Sequence, residues 1–185
     1  MRNADSICAN TASRSRQLVH KWRTEEHAIL VGTQTVMDDN PKLNVRDWTG
    51  NNPIRIVLDK NNRVPKDSFV FDNQQKTIFI TESNNLDSTE NCIFEKIDFG
   101  KNIGNQIMDL LYKHSIQSVI IEGGRQTLQT FIDENIWDEA RIFTGNTYFE
   151  TGIKAPILER KNDIKKTIEN DSLLIIRNHD SGYHF

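Results

Sequence analysis

The chain has 185 residues and a formal net charge of −3 at pH 7; 36% of its residues are hydrophobic and 26% are charged. This composition is typical of one globular domain that is large enough to bury a hydrophobic core. The small negative charge gives no electrostatic reason to expect a nucleic-acid or membrane partner. The longest apolar runs have strand length and the N-terminus does not look like a signal peptide. We therefore expect a cytoplasmic protein without a transmembrane helix.

The cysteines and histidines show no spacing typical of a metal site or a disulfide framework. Cys8 and Cys92 are far apart, and the five histidines do not combine with them or with one another at ligand spacing. The signatures of P-loop enzymes, serine hydrolases and zinc deaminases are also absent. We expect two free thiols and no metal.

The first predicted element is a helix over residues 13–26, and its side chains divide between two faces. The apolar face comprises Leu18, Val19 and Trp22, and the other face comprises Arg16, His20 and Arg23. We expect the apolar face to belong to the core. We expect His20 to pack on its helix rather than to act as a catalyst.

Strand and helix patterns then alternate along the chain. Ala28–Gly32 is a continuous apolar run, the pattern of a strand buried on both faces. A short helix over 33–38 follows and ends at Asn40-Pro41. Further strands are predicted at Ile54–Leu58, Thr77–Thr81, 93–97, 119–122 and 140–144, and further helices at 103–114 and from Leu128 to about 135. This alternation predicts an α/β domain with a mostly parallel sheet. Strands at 166–169 and 173–177, joined by a turn, predict an antiparallel C-terminal pair.

A glycine pair, Gly123-Gly124, separates a predicted buried strand from a predicted helix. Glycine lets a ligand approach the main chain closely, and the helix N-terminus behind it attracts anions. Arg125, Gln126 and Thr127 would add hydrogen-bond donors at the helix start. The pair fits a tight packing turn equally well, and the three-glycine fingerprint of dinucleotide-binding sites is absent.

Other polar residues lie at the predicted strand ends. Glu122 ends the strand before the glycines, and it either accepts hydrogen bonds from a substrate or bonds a neighbouring helix terminus. Arg23 and Arg46 are candidate phosphate ligands because guanidinium binds phosphate through two hydrogen bonds. Lys60, after Ile54–Leu58, is a candidate neighbour of a cofactor phosphate.

A second polar group follows Ala28–Gly32. It comprises Thr35, Asp38, Asp39 and Asn40, with Lys42 and Arg46 further on. These side chains supply the convergent polar groups that a small-molecule site needs. The alternative is a capped helix end followed by a turn.

Four motifs carry a resemblance to a known family. They are the block at 16–46, P-I-R-I-V-L-D at 53–59, E-G-G at 122–124 and W-D-E at 137–139. Together they resemble the reductase domain of the bifunctional riboflavin-pathway deaminase–reductase. The resemblance implies a dihydrofolate-reductase-like α/β/α fold in three layers. It also implies a homodimer that uses NADPH to reduce the ribosyl group of 5-amino-6-(5-phosphoribosylamino)uracil, a phosphorylated pyrimidine.

The resemblance also implies roles for individual residues. It implies that the substrate is contacted by Arg23, Leu43, Arg46 and Glu122. It implies that the cofactor is contacted by Thr35, Asp39 and the stretch 124–130, with Lys60 as a further neighbour. In this reading Asp39 or Glu122 relays a proton, and the protein otherwise aligns the two reactants and excludes water.

Two features of the family have no counterpart in the sequence. Family members begin the domain with a strand and loop that read like K-x-A-x-S-x-D-G, and they carry a deaminase half. We therefore expect one reductase-like domain over residues 1–185 that lacks the first strand. Two alternatives stay open: a dihydrofolate-reductase-like enzyme with another substrate, and an NADPH-binding subunit without turnover.

Overall fold

The computed structural model describes residues 13–84, 86–146, 152–159 and 163–178. The helices in these ranges are α1 Ser13–Glu25, α2 Thr33–Asp39, α3 Ile103–Lys113 and α4 Arg125–Asp133, with a short 3₁₀ helix at Phe69–Phe71. The strands are β1 Ala28–Gly32, β2 Ile54–Leu58, β3 Thr77–Thr81, β4 Cys92–Lys96, β5 Val119–Ile121, β6 Glu139–Thr144, β7 Asp163–Ile168 and β8 Asp171–Arg177. Within the same ranges, no helix has the length and apolarity of a membrane span, and no cluster of acidic, histidine or cysteine side chains suits a metal ion.

The strands form a parallel sheet and a smaller antiparallel sheet. The parallel sheet has the order β4-β3-β2-β1-β5, so β1 lies between two neighbours. The antiparallel sheet has the order β6-β8-β7. This architecture confirms the predicted α/β class with a mostly parallel sheet and antiparallel C-terminal strands.

The core consists of two apolar clusters. Alternate residues of β1 point to opposite sides, so Ala28 and Leu30 belong to one cluster and Ile29 and Val31 to the other. The first cluster takes side chains from α3 and α4, and the second takes Val36 of α2. The first four residues of β1 are fully buried, because both of its faces are covered by these clusters.

Several predicted boundaries shift by a few residues. The strand predicted at 93–97 is Cys92–Lys96, and the strand predicted at 166–169 is the longer Asp163–Ile168. The helix predicted from Leu128 begins directly after Gly124. That earlier start matters, because it brings the helix N-terminus to the end of β5.

The expected apolar face of α1 is not its most buried face. Its buried residues are Ser15, His20 and Arg23, whereas Leu18, Val19 and Trp22 are only partly buried. The ring of Trp22 contacts the ring of Phe143 at a centroid distance of 5.6 Å, and the guanidinium of Arg141 covers it at 4.5 Å. His20 and Arg23 of the polar face are buried where they have partners elsewhere in the chain.

Candidate active site

The carboxyl ends of β1 and β5 lie side by side, because the two strands are parallel neighbours. The register places Leu30 opposite Ile121, and the N–H of Glu122 donates to the carbonyl of Leu30 at 3.0 Å. The residues that follow, Gly32 on one strand and Gly123 on the other, meet at the same edge. Ligands of open α/β sheets bind at this edge.

The two glycines after β5 have different surroundings. A Cβ atom on Gly123 would lie 2.9 Å from main-chain atoms of Val31 and Gly32. Gly124 is exposed, and among the described residues its Cβ would meet only the Thr35 hydroxyl, at 3.5 Å. The N–H of Gly124 donates to that hydroxyl oxygen at 2.9 Å. Packing therefore requires glycine at 123, whereas Gly124 leaves room for a ligand.

The start of α4 presents hydrogen-bond donors at this edge. In the described part of the chain, the N–H groups of Arg125, Gln126 and Thr127 have no acceptor. The hydroxyl of Thr127 lies against Gly32, where an added Cβ would be 2.5 Å from it. Exposed N–H groups at a helix start beside an uncrowded glycine suit an anionic ligand.

Arg23 and Glu122, both predicted substrate ligands, bind each other. Nε of Arg23 donates to Oε1 at 2.9 Å and Nη2 donates to Oε2 at 2.5 Å. The two side chains are 9% and 23% exposed. Nη1 of Arg23 donates to the carbonyl of Asn44 at 3.0 Å. The pair thus joins α1 to the end of β5 and to the segment after α2.

The segment 43–47 carries the other predicted substrate ligands. Leu43 has a φ of 54° and is 2% exposed, and its side chain packs in the second core cluster. The predicted substrate contact of Leu43 therefore does not come from an exposed side chain. Arg46 is exposed, and its Nη1 donates to Oδ1 of Asn44 at 3.0 Å. A shallow depression of about 530 Å³ is lined by Gln17, Arg46, Asp47, Trp48 and Thr49.

The remaining predicted site residues lie at the ends of α2 and β2. Asp39 is the last residue of α2, and Asn40 ends the helix with a φ of 42°. Lys60 follows β2, with its Nζ 3.3 Å from the carboxylate of Glu82 and 5.7 Å from the ring centre of Phe99. Lys60 therefore shares the carboxyl edge of the sheet but is engaged with Glu82.

A smaller cavity lies away from this edge. It has about 130 Å³, lies near the amino ends of β2 and β3, and is lined by Lys42, Asn44, Asn52, Phe69, Asp72, Gln74 and Gln75. Parallel sheets bind ligands at the opposite ends of their strands. This cavity therefore lies away from the carboxyl ends of the strands, although Asn44, which binds Arg23 and Arg46, is part of its lining.

His20 belongs to the site region, although the sequence predicts only a packing role for it. The ring is 2% exposed, and its Nδ1 accepts the N–H of Arg46 at 3.3 Å. Burial, together with the charges of Arg23 and Arg46, lowers the pKa of His20 below its ordinary value. The signal in the sequence was that His20 shares a helix face with Arg16 and Arg23. Asn44, which binds both Arg23 and Arg46, carried no such signal.

The family model described as the RibD C-terminal domain matches residues 3–149, which is most of the chain. The chain belongs to this family. Membership confirms the resemblance that the four sequence motifs carry.

Two relatives from Aquifex aeolicus illustrate the similarity. The riboflavin biosynthesis protein RibD is 33% identical over 172 residues, which cover 86% of this chain and 48% of that protein. A protein named 2,5-diamino-6-ribosylamino-4(3H)-pyrimidinone 5′-phosphate reductase is 29% identical, with 67% of this chain and 58% of that protein covered. The chain therefore spans about half the length of these relatives.

Solved structures show the same fold. A deaminase/5-amino-6-(5-phosphoribosylamino)uracil reductase from Thermotoga maritima matches with a TM-score of 0.79 and 26% identity. The match covers 90% of this chain and 49% of that one. The riboflavin biosynthesis reductase Rib7 of Saccharomyces cerevisiae matches with a TM-score of 0.72, and at 23% identity this supports the fold alone.

Proposed function

We propose that this chain is an NADPH-dependent reductase of a phosphorylated ribosylaminopyrimidine in riboflavin biosynthesis. The substrate we assign is 5-amino-6-(5-phosphoribosylamino)uracil, which would become its ribitylamino product. Family membership supports this reading, and so do relatives named as pyrimidinone phosphate reductases. We further infer that the protein works in the cytoplasm as a homodimer, which light scattering tests.

One observation carries the proposal: a continuous path of contacts joins the predicted substrate residues to the predicted cofactor residues. Arg23 binds Glu122, Glu122 is followed by Gly123 and Gly124, and Gly124 binds Thr35. All of these lie at the carboxyl edge of β1 and β5. Two ligands that must react with each other need adjoining sites of this kind.

The residues at the start of α4 fit the anionic part of a nicotinamide cofactor. Gly124 leaves room, and the N–H groups behind it are donors. The Thr35 oxygen accepts from Gly124, so the hydroxyl proton is available to an acceptor on a ligand. When bound, NADPH would supply a hydride to the ribosyl carbon of the substrate.

We assign different roles to the predicted substrate residues. Arg23 directs Nε and Nη2 to Glu122 and Nη1 to Asn44, so its main task is to fix the Glu122 carboxylate beside Gly123. Arg46 is exposed and lines the depression, so we assign the substrate phosphate to Arg46. Asp39, together with Glu122, is the candidate for proton relay to the reacting group.

The test is oxidation of NADPH by the purified chain, followed by absorbance. The substrates are the uracil compound and, separately, 2,5-diamino-6-ribosylamino-4(3H)-pyrimidinone 5′-phosphate, with NADH as the cofactor control. We expect turnover of at least one substrate and a preference for NADPH. Saturable NADPH binding without turnover of either substrate would favour the binding-subunit alternative, and no binding would contradict the proposal.

A matched pair of arginine variants locates the phosphate site. Arg46→Met should raise the KM for substrate by about tenfold or more, because a charge-assisted contact to phosphate is lost. Arg14→Met is the control, because Arg14 lies on α1 and pairs with Glu169 while its side chain is 76% exposed. Equal KM values for both variants would remove Arg46 from the site.

A further inference from the structure

The imidazole of His20 connects α1 to the segment 44–47 through both of its nitrogens. Nδ1 accepts the N–H of Arg46 at 3.3 Å. Nε2 lies 3.6 Å from Oδ2 of Asp47, which is too long for a hydrogen bond but close enough for electrostatic attraction. Because Nδ1 is an acceptor, the proton of the neutral ring is on Nε2 and faces the carboxylate.

Two arginines on the same helix face hold the neighbouring residues of that segment. Arg23 donates to the carbonyl of Asn44, and Arg16 lies 2.7 Å from the carboxylate of Asp47. His20 stands between the two arginines on α1, and of these three side chains it is the one that binds the main chain of Arg46. His20 is 2% exposed, so its contact is the most buried of the three.

The side chain of Arg46 contacts its own segment. Its Nη1 donates to Oδ1 of Asn44, two residues earlier, and it lines the depression described above. The direction of the guanidinium therefore depends on where the main chain of residues 44–46 is fixed. Binding of a ligand by Arg46 therefore depends on the contacts that hold this part of the main chain.

We propose that His20 is a positioning residue for the substrate: it fixes the main chain at Arg46 so that the guanidinium meets the substrate phosphate. This inference rests on the proposed function, since it takes Arg46 as the phosphate ligand. His20 itself touches neither the substrate nor the cofactor in this scheme.

The attachment requires a neutral ring, and the charges around His20 keep it so. The groups that face it are Arg23 on its own helix, Arg46 and Asp47 from the segment, and Glu122 from the end of β5, with Arg16 beyond Asp47. Burial and the two nearest arginines disfavour the imidazolium, while the two carboxylates favour it; the net effect is a lowered pKa. Protonation at acid pH would remove the acceptor for Arg46. The KM for substrate should therefore rise as the pH falls from about 6.5 towards the lowered pKa of His20.

The test compares His20→Leu with His20→Asn in the full chain. Asparagine places a carbonyl oxygen near the position of Nδ1 and keeps an acceptor, whereas leucine keeps the volume and removes it. We expect His20→Leu to raise the KM for the phosphorylated substrate by about tenfold, as for one lost hydrogen bond. We expect kcat and the KM for NADPH to stay within about threefold. His20→Asn should restore the KM and reduce its rise at acid pH, leaving the part that comes from protonation of the substrate phosphate, whose second pKa is about 6.

Three results would overturn the proposal. They are an unchanged KM in a folded His20→Leu protein, a parallel fall in kcat and cofactor affinity, and a KM in the wild type that does not depend on pH. The third result needs no variant, so the test survives if His20→Leu does not fold.

A readout without turnover separates this inference from the proposed function. The amide proton of Arg46 should exchange slowly with solvent in the wild type and in His20→Asn, and faster in His20→Leu. Equal exchange rates would show that His20 does not hold the segment, whatever the enzyme does. Protected exchange without turnover of either substrate would instead mean that the proposed function fails.

Discussion

Helices α1 and α3 bury opposite kinds of surface. α3 buries Gly104, Ile107 and Leu111, and the two apolar side chains belong to the first core cluster, which is the pattern of an amphipathic helix. α1 buries a histidine and an arginine and leaves its apolar residues partly exposed. An apolar helix face is buried by packing on the core alone. A polar helix face is buried only where its side chains find specific hydrogen-bond or ionic partners.

The largest effect should come from the core face of α3. Ile107→Ala removes a fully buried side chain and should lower the free energy of unfolding by about 2 to 5 kcal/mol. Tyr112→Ala on the same helix is the control, because Tyr112 is 88% exposed, and it should change stability by about 0.5 kcal/mol or less. Urea unfolding measures both, and equal losses would contradict the assignment of the two faces.

On the polar face of α1, single and double substitutions should change the free energy of unfolding in a non-additive way. Arg23→Met should cost about 2 to 4 kcal/mol, because it leaves the Glu122 carboxylate partly buried without its guanidinium. Adding Glu122→Leu should recover part of that loss, since the unpaired charge is then gone. A double-mutant cycle by urea unfolding measures the coupling. Purely additive losses would show that the pair is not a unit.

The glycine pair after β5 separates a position required for packing from a position open to a ligand. Gly123→Ala should destabilise the protein by about 1 to 3 kcal/mol, because its Cβ would lie 2.9 Å from the main chain of β1. Gly124→Ala should leave stability nearly unchanged and instead weaken NADPH binding. Thermal unfolding and fluorescence titration distinguish the two. The assignment is wrong if Gly124→Ala proves the more destabilising change.

The smallest effect should be a dependence of stability on pH that differs between the helices. The pKa of His20 is lowered by burial and by Arg23 and Arg46, so the folded state resists protonation. Its contribution to stability is complete above about pH 6.5, the ordinary value, and is lost as the pH falls towards the lowered pKa. Urea unfolding between pH 8 and pH 5 should show this loss, and His20→Asn should remove it.

The end of α3 should titrate in a more acidic range. Burial opposes ionisation of Glu95 in β4, but hydrogen bonds from Lys113 and His114 outweigh it and lower the pKa of Glu95 below its ordinary value. This contribution is present above about pH 4.3 and is lost as the pH falls through the lowered pKa. Glu95→Gln should remove the dependence of the free energy of unfolding on pH only in that acid range. A change near neutrality would contradict the separation of the two helices.

The sequence predicted both helices, α1 at 13–26 and α3 at 103–114, but it predicted the buried face correctly only for α3. The face of α3 is set by transfer of apolar side chains from water, and that preference is readable from the spacing of Ile103, Ile107 and Leu111 alone. The face of α1 is set by Glu122 and Asn44, which are distant in sequence from Arg23. Local pattern carries no information about partners of that kind.

The same distinction applies to the candidate site. The Gly123-Gly124 position at a strand end was predictable from the order of strand, glycine and helix. The different surroundings of the two glycines depend on residues about ninety positions earlier in the chain: β1 packs against Gly123, and Thr35 of α2 contacts Gly124. The core position of Leu43 and the pairing of Lys60 with Glu82 likewise depend on the assembled sheet.

The close approach of Gly32 and Thr127 has a consequence for how this family can vary. The hydroxyl of Thr127 occupies the space that a side chain at residue 32 would need. An alanine at 32 would force Thr127 into another rotamer and turn its hydroxyl away from the helix start. The two positions are therefore coupled by volume, and relatives with a larger residue at 32 should carry a smaller one at 127. An alanine at 32, strained beside Thr127, should be acceptable beside a smaller residue at 127.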